Sequence, residues 1–356
     1  MGDKREKVLV AMSGGVDSSA AALLLQRAGY DCVGAMMRLF DDGLDDETAT
    51  ADARRVCEQL GIPFYTMHME KTFRSCVIDR FTESYEQGIT PNPCVDCNRS
   101  LKFGELLSAA RELGCTHIAT GHYARIEQDP ATGTYVLRKA TDEKKDQSYV
   151  LYSLTQEQLA SVLLPLGTLS KPEVRALAEE AGLETAHRSE SQDICFVPDG
   201  DYAAVIKRYT GRTFPAGDFV DLEGKVIGTH RGIIHYTIGQ HKHLGQSFGL
   251  PRYVCRIDAR QNRIVLGSNE DTFSDHTIAG DFNWIPGELP ASPVRARVRL
   301  RYKQKEQLAT LTRCEVDGKP AVEICFDEPQ RAITPGQAAV VYDGDKVLGG
   351  GTILPL

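Results

Sequence analysis

The first 120 residues of the chain alternate between short apolar runs and longer segments of helical composition. The short runs are continuously apolar, as expected of strands buried on both faces of a parallel sheet. Glycines at Gly29 and Gly61 follow the first two helical segments, where a helix commonly ends. The alternation predicts βαβ units with strands at Val8–Met12, Cys32–Met37, Pro63–Met67 and Cys115–Thr120, and helices at Ser18–Ala28, Thr48–Leu60, Phe73–Tyr85 and Phe103–Leu113.

Beyond Gly121 the pattern loosens, with a hairpin arm predicted at Tyr135–Arg138 and short helices at Gln156–Leu164 and Glu173–Ala181. From about Arg212 onward, Gly, Pro and Asp separate short alternating segments, which is typical of small β-domains. We therefore predict an α/β fold with a doubly wound parallel sheet in residues 1–205, a small central domain in residues 206–275 and a C-terminal β-barrel in residues 276–356.

Composition limits the class of protein. The 356 residues suffice for two or three domains, and the 42% hydrophobic and 25% charged residues are ordinary for a soluble protein. No apolar run is long enough to cross a bilayer, and the N-terminus leads directly into a predicted strand without room for a signal peptide. We expect a cytoplasmic protein with no membrane partner, in which the ten cysteines are reduced thiols, metal ligands or catalytic groups.

The net charge of −8 argues against a protein that binds nucleic acid over its whole surface, but one local segment is strongly basic. Residues Val294–Lys305 read VRARVRLRYKQK, so a strand there places six cations on one face. The simplest interpretation is an amphipathic strand with a solvated face. Because like charges on neighbouring positions repel, we favour contact with an RNA backbone.

A glycine turn, Ser13–Gly14–Gly15, separates the first predicted strand from the first predicted helix. Such a turn forms a concavity of backbone N–H groups at a helix N-terminus, which favours an anion such as phosphate. It matches neither the P-loop nor the GxGxxG dinucleotide pattern. Asp17 beside the phosphates is consistent with an intervening Mg²⁺ ion. The alternative is a tight turn with a serine N-cap, which the position at a strand carboxyl end disfavours.

Three cysteines have unusual neighbours. Cys94 and Cys97 lie in the proline-rich segment TPNPCVDCNR, predicted as a loop before a helix, and Cys195 lies in the polar segment SESQDICF. A thiol near a helix N-terminus has its thiolate favoured. Half of a zinc site and a thioredoxin-like pair are the alternatives, but no second cysteine pair follows at zinc spacing. We favour catalysis, and interpret the others as small buried hydrophobes: Cys32, Cys57, Cys76, Cys115, Cys255, Cys314 and Cys325.

Two sets of motifs resemble known families. The segment AMSGGVDS resembles the PP-loop of ATP pyrophosphatases, the adenine nucleotide alpha hydrolase-like fold, whose members split ATP into AMP and pyrophosphate to adenylate a substrate. The segments TPNPCVDCNRSLKFG, ATGHYAR, KKDQSYVL and SESQDICF resemble, in this order, the bacterial tRNA-specific 2-thiouridylases of the MnmA family. The resemblance covers essentially the whole chain, including FDEPQRAITPGQAAVVYDGD near the C-terminus.

The resemblance implies ATP-dependent adenylation of the wobble uridine 2-oxo group of tRNA, then sulfur transfer from a cysteine persulfide to give 2-thiouridine. ATP and Mg²⁺ are the implied cofactors, and tRNA and a sulfur-carrier protein or cysteine desulfurase the implied partners. Cys195 would carry the persulfide and Cys97 would be its nucleophilic partner. The implied binding residues are, for the nucleotide, Ala11, Met12, Ser13, Gly14, Gly15, Val16, Asp17, Ser18, Met37 and Gly121; for the target base, Asn92, Pro93 and Cys94; and for tRNA, His122, Lys145, Asp146, Gln147, Arg301, Tyr302 and Gln337.

The chain departs from the family pattern at one position. Some members have an aspartate, assigned as an acid or base, where this chain has Cys94, and Asp96 lies two residues further on. The change also creates a trio of thiols with Cys97 and Cys195 that suits an iron–sulfur cluster, which we rank below the persulfide route. Two other functions remain open: an adenylating enzyme for small molecules, and an RNA-binding module with a zinc site at the cysteine pair.

Overall fold

The computed structural model describes residues 5–40, 47–188 and 194–355. Its first sheet has five parallel strands in the order β3-β2-β1-β4-β7. This arrangement confirms the predicted doubly wound parallel sheet. The strands are β1 Lys7–Ala11, β2 Asp31–Arg38, β3 Phe64–His68, β4 His117–Ala119 and β7 Val162–Leu163.

Helices connect these strands and cover the sheet. Two of them contain a central π-helical stretch: α3 comprises Glu70–Phe73, Arg74–Ile78 and Asp79–Glu86, and α4 comprises Pro93–Cys97, Asn98–Glu105 and Leu106–Glu112. The others are α1 Val16–Arg27, α2 Glu47–Leu60, α5 Gln156–Leu159, α6 Lys171–Glu180 and α7 Tyr202–Thr210.

Strand β1 lies at the centre of the sheet because its side chains are apolar on both faces. Val8, Leu9 and Val10 are fully buried between β2 and β4. From β1 the chain proceeds outward first through β2 and β3, and later in the other direction through β4 and β7. The topological switch point, where open α/β sheets bind ligands, therefore lies between the carboxyl ends of β1 and β4.

Two sequence predictions in this domain are wrong. The helix predicted over residues 156–164 ends at Leu159, and Val162–Leu163 instead forms the outer strand β7 against Ile118 and Ala119. The loop predicted around the cysteine pair is the first turn of α4, which begins at Pro93. Proline suits that position because its fixed φ is helical and its missing N–H would have no partner there.

The remaining strands form two further sheets. The central sheet has the order β10-β11-β8-β9, and the C-terminal strands form a barrel closed by pairing of β12 with β17. This confirms the small central domain and the β-barrel. The central strands are β8 Gly217–Val220, β9 Val226–His230, β10 Tyr253–Asp258 and β11 Arg263–Gly267; the barrel strands are β12 Phe273–Trp284, β13 Val294–Arg299, β14 Gln307–Val316, β15 Lys319–Arg331, β16 Ala338–Asp343 and β17 Lys346–Ile353.

A hairpin joins the first domain to the barrel. Its strands, β5 Ala124–Gln128 and β6 Tyr135–Lys139, confirm the hairpin arm predicted from the sequence. Strand β6 also pairs with β17, and Arg125 and Arg138 each place a guanidinium nitrogen 2.6 Å from the Asp345 carboxylate. The hairpin therefore extends the barrel sheet, a pairing that its local sequence does not reveal.

The basic segment is only partly a strand. Strand β13 ends at Arg299, and the following residues form a turn in which Gln304 N–H donates to the Arg301 carbonyl (3.1 Å). Arg301 is drawn inward, since its guanidinium donates to the Ala332 carbonyl and to Thr334 Oγ1. The prediction of six cations on one strand face is therefore wrong beyond Arg299.

The prediction that this basic row needs a polyanion to balance its charge is also wrong for two of its arginines. Arg295 forms a bidentate pair with Asp327, with both N–O distances 2.7 Å. Arg299 is paired with Glu306 at 2.8 Å and lies 3.4 Å from the carboxylate of Asp146. Carboxylates from elsewhere in the fold, which the local sequence pattern does not contain, supply the opposite charge.

We predict that the Tyr149 hydroxyl contributes to holding the barrel against the first domain. It is fully buried and donates to the Ala338 carbonyl at 2.8 Å. Tyr149→Phe leaves that buried carbonyl with one partner fewer, which costs about 1–2 kcal/mol. The urea midpoint of unfolding, followed by circular dichroism, should fall. Tyr65→Phe, at a side chain that is 44% exposed, is the control and should leave the midpoint unchanged.

Candidate active site

The glycine turn after β1 has a backbone that other residues cannot adopt without strain. Gly14 has φ +71°, and a Cβ there would lie 2.4 Å from the Ala49 carbonyl oxygen. Gly15 is extended and is the N-cap of α1. The turn therefore passes close to α2 and directs the α1 N-terminus toward the switch point, which is the arrangement expected of an anion site.

The hydroxyls of this segment mostly stabilise the turn itself. Ser18 Oγ and Ser19 Oγ both donate to the Gly15 carbonyl, at 3.1 and 2.9 Å. Ser13 N–H donates to Ser18 Oγ at 3.1 Å. The predicted nucleotide-binding residues Ser13 and Ser18 are therefore bonded to each other, and this bond determines the shape of the concavity.

Asp17, in the first turn of α1, is held by two residues that the sequence analysis did not single out. Lys171 Nζ lies 2.7 and 2.8 Å from its two carboxylate oxygens, and the Tyr123 hydroxyl donates to one of them at 2.6 Å. Lys171 is only 7% exposed. The ammonium of Lys171 is neutralised by the Asp17 carboxylate, and this buried ion pair lies beside the helix N-terminus at the predicted phosphate site.

The described residues contain no group of three or more His, Cys, Asp or Glu side chains arranged to hold a metal ion. Asp17, the predicted neighbour of Mg²⁺, already accepts from Lys171 and Tyr123. The three thiols are included in that finding, so they do not fit an iron–sulfur cluster in this arrangement.

Gly121 follows β4 on the other side of the switch point and touches the first turn of α1. A Cβ there would lie 2.9 Å from Asp17 Cβ and 3.0 Å from Ser18 N. The structure thus brings Gly121 to the glycine turn, as the resemblance implied. Met37, on β2, is half-buried against the core of the same domain, and Met12 is buried.

The cysteine pair lies on the first turn of α4. Cys94 is exposed, whereas Cys97 is half-buried and packs against the core. Pro93 is buried at the start of this helix, and Asn92 is its N-cap. The helix therefore fixes the orientation of both thiols, which a loop would not.

Cys195 reaches the same region from a distant part of the chain. Residues 189–193 of its motif lie outside the described residues. The next residue, Phe196, is buried with its ring edge-on to Phe73 and Phe81, at centroid distances of 5.9 and 5.1 Å. This aromatic contact fastens the Cys195 segment to helix α3.

Cys94 and Cys97 both act electrostatically on Cys195, and the region around these thiols, Lys102 and His122 is called the cleft below. Burial raises the pKa of Cys97, and burial together with the neighbouring Cys97 and Cys94 raises the pKa of Cys195 to about 12. Cys195 is exposed at one edge, but the cleft walls still remove much of the water that would solvate its thiolate. All three are free thiols, so the structure represents the reduced cleft.

Two further residues face this cleft. His122 is buried and its Nδ1 lies 2.7 Å from Thr120 Oγ1. Burial, aided by the positive charge of Lys102, holds the pKa of His122 well below its usual value, so the imidazole is neutral at physiological pH. The charge of Lys102 also acts on Cys97 and Cys195, lowering the pKa of each against the effect of burial.

Asp96 is directed toward another partner. Its carboxylate lies 3.1 Å from Arg80, and burial raises its pKa despite that arginine. Together with Asn92 and Arg80 it lines a cavity of about 170 Å³ between α3, α4 and the barrel. None of the described residues lining this cavity is a cysteine. The geometry therefore gives no support to Asp96 as a direct substitute for an acid or base at position 94.

Some of the residues implied to contact tRNA lie at least partly at the surface, and others are hydrogen-bonded within the protein. Tyr302 is 38% exposed, stacks edge-on with Tyr149 at 6.0 Å and is close enough to Cys94 for an electrostatic effect. Lys145 is half-buried. The others are engaged within the protein: Asp146 is buried and accepts from Ala140 N and Ser148 N, Gln147 Oε1 accepts from Tyr123 N, and Gln337 Nε2 donates to the Thr90 and Pro91 carbonyls.

Sequence reasoning missed Lys102, Tyr123, Lys171 and Arg188. The first two lie inside the segments LKFG and GHYAR that were already noted as motifs, so a signal was available. Lys171 follows a serine N-cap, and its sequence pattern indicates only a helix start. Arg188 donates to the Gly14 carbonyl at 3.0 Å and pairs with Asp52, contacts that no local pattern reveals.

The fold and the site define a class: a doubly wound α/β domain of the HUP type with a glycine turn at its switch point, followed by two β-domains. Sequence models of families match each part. They are described as the tRNA methyl transferase HUP domain (residues 6–199), the tRNA methyl transferase PRC-barrel domain (203–268) and the aminomethyltransferase beta-barrel domain (274–353).

Curated relatives match along nearly the whole chain. The tRNA-specific 2-thiouridylase MnmA of Clostridioides difficile is 47% identical over 98% of each chain. That of Carboxydothermus hydrogenoformans is also 47% identical over 98% of each chain. The protein belongs to the MnmA family of tRNA-specific 2-thiouridylases.

Solved structures resemble the chain more remotely. The U34-tRNA thiolase NcsA from Methanococcus maripaludis, with its [4Fe-4S] cluster, is 21% identical with a TM-score of 0.35, covering 59% of this chain and 68% of its own. At that level of similarity it carries no argument about this site. Among the described residues, no helix has both the length and the apolar character needed to span a bilayer.

We predict that Gly121→Ala weakens nucleotide binding at the glycine turn by about tenfold or more. The added methyl group meets backbone and Cβ atoms of Asp17 and Ser18, which cannot move without displacing the first turn of α1. Isothermal titration with ATP measures the effect. Gly280→Ala is the control, because the three atoms nearest to its methyl group would all belong to the flexible side chain of Leu354. Unchanged affinity in Gly121→Ala would contradict the prediction.

We also predict an unusual pH dependence for Cys195. Because its pKa is raised to about 12, its thiolate fraction should increase about tenfold per pH unit between pH 7 and 10 without reaching a plateau. The rate of alkylation by iodoacetamide, followed by mass spectrometry of the Cys195 peptide, reports this fraction. Glutathione in the same buffers serves as the reference. A plateau below pH 9 for Cys195 would show that the thiolate is not destabilised.

Proposed function

We propose that this protein is an ATP-dependent tRNA 2-thiouridylase, a sulfurtransferase that converts the wobble uridine to 2-thiouridine and releases AMP and pyrophosphate. One observation carries the proposal: a continuous series of close contacts and electrostatic interactions leads from the glycine turn to the thiols. Gly121 approaches Asp17 and Ser18, the adjacent His122 is influenced by Lys102, and Lys102 influences Cys97 and Cys195.

Activation is the first step. The uridine 2-oxygen attacks the α-phosphorus of ATP, the bond to pyrophosphate breaks, and the 2-oxygen becomes part of a good leaving group, AMP. The turn at Ser13–Gly15 and the α1 N-terminus supply positive potential for the departing pyrophosphate, beside the ion pair of Lys171 and Asp17. The Asp17 carboxylate holds the Lys171 ammonium in place. Mg²⁺, where it takes part, is supplied with the nucleotide.

Sulfur transfer is the second step. The terminal sulfur of a persulfide on Cys195 attacks C2 of the activated uridine, and AMP leaves with the former 2-oxygen. The Cys97 thiolate then attacks the Cys195 sulfur and breaks the S–S bond, which leaves the terminal sulfur on C2 as 2-thiouridine. The products include a Cys97–Cys195 disulfide, which external thiols reduce before the next cycle. The closeness of the two thiols in the reduced cleft supports this sequence.

Neutral His122 suits a role beside the base. Its Nδ1 is bonded to Thr120 Oγ1, and within the described part of the chain no hydrogen bond is made by Nε2. A neutral imidazole offers a hydrogen bond without adding a charge that would compete with the phosphates. We assign Asn92, Pro93 and Cys94 to the surroundings of the target uridine, and Tyr302, near Cys94, to the same RNA contact.

Membership of the family supports tRNA as the substrate, and the sulfur donor is part of the proposal. tRNA binds with its wobble base turned out of its stack toward the cleft, and the barrel contributes Arg301 and Tyr302 to its contact surface. A sulfur-carrier protein or a cysteine desulfurase delivers the persulfide to Cys195, at the exposed edge of this thiol. With domain boundaries at residues 205 and 275, the reacting cysteines belong to the first domain and the tRNA contacts of Arg301 and Tyr302 belong to the C-terminal barrel. An enzyme that only adenylates small molecules has no use for the paired thiols.

The proposal predicts a specific pattern of cysteine variants. The protein is incubated with ATP, a persulfide donor and unmodified tRNA, and nucleosides and pyrophosphate are analysed. Cys195→Ser and Cys97→Ser should lose 2-thiouridine formation by at least about a hundredfold, since each removes a reacting sulfur. Both should still release pyrophosphate. Cys325→Ser, at an exposed thiol on the barrel, is the matched control and should remain active. Pyrophosphate release without any 2-thiouridine in the unaltered protein would instead identify an adenylating enzyme.

A further inference from the structure

Helix α4 changes its hydrogen-bonding pattern immediately after the cysteine pair. Residues Asn98–Glu105 are π-helical, and at their end Leu106 N–H bonds to the Leu101 carbonyl, five residues earlier. In an α-helix, residues five positions apart point about 140° away from each other. The wider π-turn brings such residues closer to one face, and such stretches occur frequently at functional sites. Lys102, five residues after Cys97, is thereby brought closer to the helix face that carries Cys97.

Lys102 is a partly buried cation without a carboxylate partner among the described residues. It is half-buried, and among the described residues it forms no hydrogen bond and no ion pair with a carboxylate. A partly desolvated ammonium without a partner is unfavourable unless an anion is present for part of the time. The groups that its charge reaches are Cys97, Cys195 and His122, all of which face the cleft.

We propose that Lys102 is the positioning residue of the sulfur-transfer step, which stabilises the anionic form of Cys97 and of the sulfur carried by Cys195. It acts through these two sulfurs and not on the uridine. The assignment of the sulfurs to catalysis rests on the proposed function, but the effect of Lys102 on their ionisation does not.

The charged and titratable groups around the thiols leave this role to Lys102. Asp96 opposes ionisation of Cys97, and Cys94 and Cys97 oppose ionisation of Cys195. Lys102 is the one cation in the described structure that acts on both, and it favours both thiolates. His122 is neutral and contributes no charge. Without the ammonium, only contributions that favour the protonated thiol remain at Cys97, and at Cys195 a backbone hydrogen bond is the one remaining contribution that favours the thiolate.

The chemical step that Lys102 assists is the loss of a proton from a cysteine thiol. The S–H bond breaks, the proton passes to water, and the electron pair stays on sulfur, which then has the nucleophilicity that transfer requires. No oxidation or reduction is involved in this step. A cation fixed on the same helix as Cys97 supplies the stabilisation without a metal ligand or a general base.

The test measures thiol ionisation without ATP, tRNA or a sulfur donor. Iodoacetamide alkylation rates are determined between pH 7 and 10 for the peptides that contain Cys195 and Cys97. The Cys97 rate is measured in a Cys94→Ser background, because Cys94 would otherwise be a second thiol in the same peptide. Lys102→Met should slow alkylation of both thiols about three- to tenfold, and Lys102→Arg should restore the rates to within about twofold. Lys225→Met, at an exposed lysine of the central domain, should change neither rate.

The alkylation rates distinguish an electrostatic role of Lys102 from a structural one. Unchanged alkylation in Lys102→Met overturns the proposal. Slower alkylation that Lys102→Arg fails to restore also overturns the proposal, as does slower alkylation that accompanies a lower melting temperature, because both results indicate a structural role. Lys102→Gln repeats the test with a polar side chain. In the tRNA assay, Lys102→Met should release pyrophosphate normally and form 2-thiouridine more slowly. If the unaltered protein forms no 2-thiouridine, the proposed function fails while the alkylation result still decides the role of Lys102.

Discussion

The close approach of Gly121 to the first turn of α1 is the contact on which the arrangement of the site depends. It exists because β1 and β4 are neighbours in the parallel sheet, so that the turns after them meet at one edge. The same approach brings Tyr123 to the Asp17 carboxylate and places His122 beside helix α4. A side chain at position 121 would separate the nucleotide turn from the thiol cleft, and the two halves of the proposed reaction would no longer share one site.

The electrostatics of the cleft favour one thiolate at a time. Burial disfavours the charged form of Cys97 and Cys195, and the charge of one further disfavours ionisation of the other. The two therefore titrate as a coupled pair, in which a second negative charge is much less favourable than the first. In the proposed reaction the two cysteines also act one after the other, since the persulfide sulfur on Cys195 attacks before the Cys97 thiolate does.

Apolar patterning predicted the parallel sheet well because strands buried on both faces, such as β1, have a continuous signature. It failed at Val162–Leu163, where pairing with β4 and not local preference determines the strand. It failed again at Pro93–Cys97, where a proline-rich segment starts a helix instead of remaining a loop. The motifs identified the thiols, and Lys102 lies within one of them, but its effect on the thiols depends on the π-helical geometry of α4. The contacts of Lys171 and Tyr123 with Asp17 come from packing between distant segments, which a single sequence does not encode visibly.

Several residues implied to contact tRNA also hold the protein together, and this combination has a physical consequence. Gln337 joins the barrel to the segment that enters α4, Arg301 binds the Ala332 carbonyl, and Asp146 pairs with Arg299. Because these bonds exist without RNA, the distance between the barrel and the cysteine helix is set before tRNA binds. Pre-organisation of this kind lowers the conformational cost of binding. The exposed Tyr302, which reaches toward Cys94 from the barrel, is then already placed where a base turned out of its stack would arrive.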